Sequence, residues 1–240
     1  MNRATDQLPE TRPWPGFVVV EGPIGVGKTT LAKRLARSFG SNMLLEAAEE
    51  NPFLEKFYDD PNAAALPTQL FFLLQRARQL KEMKQADMFN PVRVADFLIE
   101  KDRLFAELTL DSDELDLYEQ VYASMTIDVP RPDLVVYLQA PIEVLRRRIS
   151  ERGRGFERNR DADYLQRLSE SYMQFFHNYS QAPLLIVNAA EIDFANNQRD
   201  FELLLEQANE FNPEVIVLRA KDSAKKFRER YNENADVLED

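Results

Sequence analysis

The sequence predicts an α/β fold in which a parallel β-sheet is covered on both faces by helices. Two patterns predict it. Short, continuous apolar runs recur along the chain, as strands buried on both faces require. Between them lie longer stretches whose apolar residues stand three and four apart, the period of a helix with one inward stripe. Strands alternating with helices build a parallel sheet, because each return crossover needs a helix.

Residues 1–15 hold three prolines and little periodicity and read as a mobile tail. Strands are expected at Phe17–Glu21, Met43–Glu46, Val92–Phe97, Asp133–Gln139 and Leu184–Asn188, a five-stranded sheet. Behind the first strand, Leu31 and Leu35 with Ala32 and Ala36 form one apolar helical stripe. A long helix is expected over 63–86, with Leu66, Leu70, Leu73 or Leu74, and Leu80 on its inner side. Further helical patterns cover 99–109, 113–125, 141–152, 162–178 and 198–210. No internal repeat is visible. Past Phe211 the chain turns to charge, so 212–240 reads as a loosely packed extension and 16–211 as the domain.

Composition narrows the partners. A chain of 240 residues, 44% hydrophobic and 30% charged, suits one sizeable globular core. No run approaches the roughly 20 apolar residues of a membrane span, and no signal-peptide pattern opens the chain. Cysteine is absent, which excludes disulfides and thiolate metal sites and agrees with a cytoplasmic location. His177 is the single histidine and is expected on a helix surface, not in a metal site. A formal charge of -11 argues against broad nucleic-acid binding, which needs a basic face. A small molecule is the expected partner.

The most specific signal follows the first strand. Gly22-Pro23-Ile24-Gly25-Val26-Gly27-Lys28-Thr29 fits G-x-x-x-x-G-K-[ST] at every fixed position, between a strand and a helix. Glycines let backbone N–H groups close around phosphate oxygens, and the helix beginning near Lys28 directs its positive end at them. Lys28 adds a point charge toward the β- and γ-phosphates, and the Thr29 hydroxyl can ligate Mg²⁺, with Thr30 beside it. The expected fold is therefore the three-layer type of the phosphate-loop NTPases, with ATP and Mg²⁺ as donor and cofactor.

The acceptor is less constrained by this loop. No N-K-x-D guanine signature occurs, and no apolar strand ends in the Asp-Glu pair of a water-activating ATPase. A small-molecule kinase needs a carboxylate to take the hydroxyl proton and arginines over the transferring phosphoryl. Glu46 closes "MLLE" at the carboxyl edge of the sheet, where such folds bind ligands. The cationic "RRRISERGRGFER" after the fourth strand is either a solvated helix face or an arginine-rich lid.

These motifs together resemble the deoxynucleoside kinase family, in the branch of the deoxyguanosine, deoxyadenosine and deoxycytidine kinases. The resemblance spans roughly 17–200. It implies that Glu46 is the catalytic carboxylate. It also implies that Tyr58 in "NPFLEKFYDDP" bonds the sugar 3′-hydroxyl, and that Gln69 and Arg76 in "PTQLFFLLQR" meet the base. Asp102, in "EKDRLFA", matches the partner of that arginine. An amide offers a donor beside an acceptor, and an Arg–Asp pair adds a fixed fork, which suits a nucleobase edge. Thymidine-preferring members usually lack the charged pair, so its presence favours a purine or cytosine base; a purine, adenine or guanine, is the narrow expectation. In "RGRGFE", Arg152 and Arg154 match lid arginines that approach the phosphates, with Arg148 one helical turn earlier. Glu157 matches the lid acid at the 3′-hydroxyl, and "LLIVNAAEIDF" resembles the strand and loop that wrap adenine. A homodimer packed through the 63–86 helix and its neighbour is also implied.

One departure stands out. The family's third strand usually ends in an acid followed by arginine, and this chain reads Asp96-Phe97-Leu98. Asp96 keeps the acid that ligates Mg²⁺ or orients its water. The missing cation leaves three readings: Lys101 or Arg103 substitutes, transfer is weak, or the acceptor differs. The alternatives to a deoxynucleoside kinase are thus a kinase of another small acceptor, such as a nucleoside monophosphate, and an ATP-binding regulatory module without transfer activity.

Overall fold

The computed structural model describes residues 16–86, 92–125, 130–152, 162–209 and 216–218. Among these, β1 (Val18–Glu21), β2 (Asn42–Leu44), β3 (Val92–Ala95), β4 (Leu134–Gln139), β5 (Leu184–Asn188) and β6 (Ile216–Leu218) form one sheet. Its order is β2-β3-β1-β4-β5-β6, and every pairing is parallel. The five strands read from the sequence are all present. The sixth adds an edge strand within the stretch assigned to the charged extension, beyond the domain boundary drawn at 211. Its apolar run is only a few residues long and lies in charged surroundings, too short for periodicity to mark.

The helices are α1 (Lys28–Phe39), α2 (Leu54–Asp59), α3 (Pro61–Ala86), α4 (Lys101–Thr109), α5 (Ser112–Ser124), α6 (Ile142–Arg152), α7 (Ala162–His177) and α8 (Gln198–Asn209). They cover the sheet on two sides. Val18 and Val20 point into one layer with Leu31 and Leu35 of α1, Leu145 of α6 and Leu204 of α8. Phe17 and Val19 point into the other, with Leu73 and Leu80 of α3, Leu104 of α4 and Tyr172 of α7. This alternation is the two-residue period of a strand buried on both faces. It has a consequence for Glu21, which shares the parity of Val19 and therefore ends β1 inside the second layer.

On α3 the register separates adjacent leucines: Leu73 is buried, whereas Leu74 is 54% exposed. Successive helical residues are rotated by about 100°, so only one of the two can face the core. Met43–Glu46 was expected as a strand, but β2 stops at Leu44, and Glu46 sits in the connection that follows. There its backbone N–H bonds the Asp96 carboxylate at 2.7 Å instead of a ladder partner. His177 is exposed at the end of α7, as expected.

Candidate active site

The strand order reverses at β1, which has β3 on one side and β4 on the other. A crevice opens at the carboxyl end of such a switch point, and the loop 22–27 lies there. Its backbone explains the glycines. Gly22, Gly25 and Gly27 have φ of 149°, 82° and 109°, which L side chains rarely adopt. A Cβ on Gly22 would lie 2.3 Å from the Leu138 carbonyl oxygen, and one on Gly25 would lie 2.8 Å from Ile149 Cγ1. No side chain caps the start of α1, so its first amides remain for an anion. Lys28 Nζ donates to the Gly22 carbonyl at 2.7 Å, which holds the ammonium over the loop.

The loop opens into a cavity of about 920 Å³ lined by Lys28, Thr29, Glu46, Tyr58, Gln69 and Arg76, among others. Thr29 Oγ1 donates to Asp96 Oδ2 at 2.6 Å, while Asp96 Oδ1 accepts the Glu46 backbone N–H. Asp96 thus ties the phosphate loop to the connection that carries Glu46. Burial raises the Asp96 carboxyl above its ordinary range, opposed by the Thr29 hydrogen bond and by Lys28 and Lys101. Two hard oxygens, Thr29 Oγ1 and Asp96 Oδ2, fit a Mg²⁺ ion that takes its remaining ligands from phosphate and water. Among the described residues, no group of three or more His, Cys, Asp or Glu could hold a metal on its own.

On the far wall, charge is buried. Glu46 accepts from Arg76 Nη2, and its Oε2 lies 3.6 Å from Lys101 Nζ. Arg76 also pairs with Asp102. Asp102, read from the sequence as a substrate-binding residue, is buried and does not line the cavity, whereas its partner Arg76 does. Burial lowers Arg76 to about 10, with Glu21 opposing. Gln69 Nε2 donates to Thr109 Oγ1 at 3.1 Å. The Thr109 hydroxyl in turn donates to the Phe105 carbonyl, which fixes the orientation of the amide. Tyr58 lies on the same wall, and α2, which carries it, packs on α3.

Sequence reasoning passed over Glu21 and Arg34. Glu21 is fully buried and accepts from the Gly22 and Leu98 backbone N–H groups, both at 2.9 Å, and from Tyr172 Oη at 3.0 Å. Lys101 Nζ stands 3.4 Å from it. The available signal was an acid terminating an otherwise apolar strand run. Arg148, read as a companion of the lid arginines, instead donates to the backbone carbonyls of Val26 at 3.1 Å and Ala189 at 2.8 Å. It braces the phosphate loop against the turn after β5, and Ile192 to Asn196 of that turn complete the cavity. Arg34 secures the same turn by donating to the Phe194 carbonyl at 2.6 Å. Arg152 ends α6, and Arg154 and Glu157 lie outside the described residues.

A glycine-rich loop of the phosphate-binding type facing a half-buried carboxylate across a cavity of about 920 Å³ is the arrangement of a small-molecule phosphotransferase. Sequence comparison gives the particular family. The deoxynucleoside kinase family profile matches residues 18–213, and the chain belongs to that family. It is 37% identical over 202 residues to the deoxyguanosine kinase of Bacillus subtilis strain 168, covering 81% of this chain and 96% of that protein. It is 29% identical over 207 residues to the deoxyadenosine kinase of Lactobacillus acidophilus, covering 80% and 94%. Its fold superposes on deoxyadenosine kinase from M. mycoides with bound dCTP at a TM-score of 0.69 and 23% identity, covering 81% of this chain and 99% of the other. The protein is a kinase with the family's parallel-sheet fold.

Proposed function

We propose that this chain transfers the γ-phosphoryl group of ATP to the 5′-hydroxyl of a purine deoxynucleoside, deoxyguanosine or deoxyadenosine, in nucleotide salvage. The observation that carries the reading is the position of Glu46. Its carboxylate lines the cavity, and its backbone is linked through Asp96 to Thr29 of the phosphate loop. A base is thereby fixed next to the place where the terminal phosphate is held. The relatives named deoxyguanosine and deoxyadenosine kinase support the choice of base.

In this mechanism, the acceptor 5′-oxygen forms its bond to the γ-phosphorus as the bond to the β,γ-bridging oxygen breaks. The hydroxyl proton passes to the Glu46 carboxylate, and ADP leaves. In a loose transition state the proton moves late, so an ordinary carboxylate suffices. Lys28 and the loop amides hold the donor phosphates. Thr29 and Asp96 would hold Mg²⁺, which when bound neutralises phosphate charge. Gln69 and the Arg76–Asp102 pair read the base, and Tyr58 takes the sugar 3′-hydroxyl. Arg152, Arg154 and Glu157 close over the donor and the sugar, as the family resemblance implies.

The protein acts in the cytoplasm as a homodimer joined through α3 and α5. Leu74 of α3 and Leu117 of α5 are exposed at 54% and 47%, and burying such side chains favours association. Among the described residues no helix is long and apolar enough to cross a membrane.

A substrate panel tests the proposal. Purified protein with Mg-ATP is offered each of the four deoxynucleosides, dAMP and dTMP. Phosphorylation of purine deoxynucleosides at the 5′ position is expected. Transfer to the monophosphates alone would establish the competing acceptor class instead.

A further inference from the structure

Lys101 is one of the most deeply buried charged groups among the described residues, 1% exposed, yet its side chain forms part of the cavity wall. A buried ammonium is costly unless it is paired. Here it faces two carboxylates, Glu21 at 3.4 Å and Glu46 at 3.6 Å. Glu21 alone would satisfy it. Glu21 is fixed from three directions, by the Gly22 and Leu98 backbone N–H groups and by Tyr172 Oη. The ammonium is therefore held on a rigid anchor at the floor of the site and presented toward Glu46.

Neither Phe97 nor Arg103 reaches this position. Phe97 belongs to the apolar core of the second layer, and the cavity is walled without it. Arg103 is half exposed and donates to Glu119 at 2.7 Å, away from the cavity. Arg76 also reaches Glu46, but it is shared with Asp102 and is assigned above to the base.

We propose that Lys101 is a further catalytic residue, whose ammonium lies against the acceptor 5′-oxygen beside Glu46 and stabilises charge on the transferring phosphoryl group. Glu21 is its positioning residue. The inference rests on the functional reading above and adds a cation that the phosphate loop does not supply. Lys101 keeps its proton throughout. As the 5′-oxygen bonds phosphorus and the bridging oxygen departs, the hydroxyl proton goes to Glu46, and Lys101 contributes charge alone. Burial lowers the ammonium to about 8, with Glu21 opposing, so it is still predominantly charged at neutral pH.

The contrary possibility is that Lys101 only neutralises Glu21. Two variants separate the roles: Lys101→Met, and Glu21→Gln combined with Lys101→Met. The single variant leaves a buried carboxylate unpaired and risks misfolding. The double variant removes both charges, which is commonly tolerated, and carries the test if the single one fails to fold. For each, kcat with deoxyguanosine or deoxyadenosine is measured beside the Kd of ATP and of the nucleoside. A catalytic Lys101 predicts that kcat falls about 100-fold in the double variant while both Kd values stay within about threefold. A double variant whose kcat lies within about threefold of wild type overturns the role. So does a loss of kcat matched by an equal loss of binding. A wild-type chain that phosphorylates no deoxynucleoside overturns the functional reading itself, whereas an active wild type with an equally active double variant overturns only Lys101.

Discussion

The proposed donor and acceptor halves of the cleft are built from different materials. The donor half is backbone: three glycines with positive φ, the uncapped start of α1, and one lysine folded onto the loop carbonyls. The acceptor half is side chains: Arg76 and Lys101 set among Glu21, Glu46, Asp96 and Asp102, contributed by several separate elements. A polyphosphate looks the same from every side, so oriented amides and one point charge suffice to grip it. A nucleoside must be placed to within fractions of an ångström for in-line attack, and that takes charges locked by one another in a largely buried wall. The donor half should therefore fail through sterics and phosphate affinity, and the acceptor half through turnover and selectivity.

Replacing Lys28 with Met should have the largest effect among the donor-side changes. We expect kcat/KM to fall about 1,000-fold, or about 4 kcal/mol, with the melting temperature little changed. Gly22→Ala should act through the fold. Its Cβ would meet the Leu138 carbonyl oxygen at 2.3 Å, and we expect about 3 kcal/mol lost in urea unfolding. Gly40, also at positive φ but with nothing within 4 Å of its Cβ position, is the control. Gly40→Ala should cost only about 1 kcal/mol. Equal costs would mean that the loop is not sterically locked.

On the acceptor side, Asp102→Ala should lower kcat/KM for purine deoxynucleosides about tenfold or more beyond any loss for thymidine, about 1.4 kcal/mol of selectivity. Equal losses would remove Arg76–Asp102 from base recognition. The smallest effect belongs outside both halves. Asp111 caps α5, accepting the Glu114 N–H at 2.9 Å while Glu114 reaches back to the Asp111 N–H. Asp111→Ala should cost about 1 kcal/mol of stability and leave kcat unchanged.

The same contrast governs how much could be read from sequence. The phosphate loop is local, so spacing alone located it, and short continuous apolar runs located the strands that frame it. The acceptor residues come from α2, α3, α4 and the connections after β2 and β3, and only the family resemblance joined Glu46, Tyr58, Gln69 and Arg76. Periodicity misleads on α3, because Gln69, Gln75 and Arg76 are polar yet buried. Glu21 escaped for a related reason, because its partner Lys101 lies 80 positions away, and Lys101 itself was read only as one of two candidate substitutes for the missing cation. Tyr172 is buried in step with Leu165, Leu168 and Phe176 along α7, so its position alone does not distinguish it from the core. β6 was missed because a short apolar run has no period of its own.

The central claim is that Glu46 takes the proton of a deoxynucleoside hydroxyl held beside the phosphate loop. Glu46→Gln keeps the size of the side chain and removes its basicity. With deoxyguanosine or deoxyadenosine as acceptor, kcat should fall about 1,000-fold while the Kd of ATP stays within about threefold. A variant that phosphorylates the nucleoside at close to the wild-type rate would contradict the account.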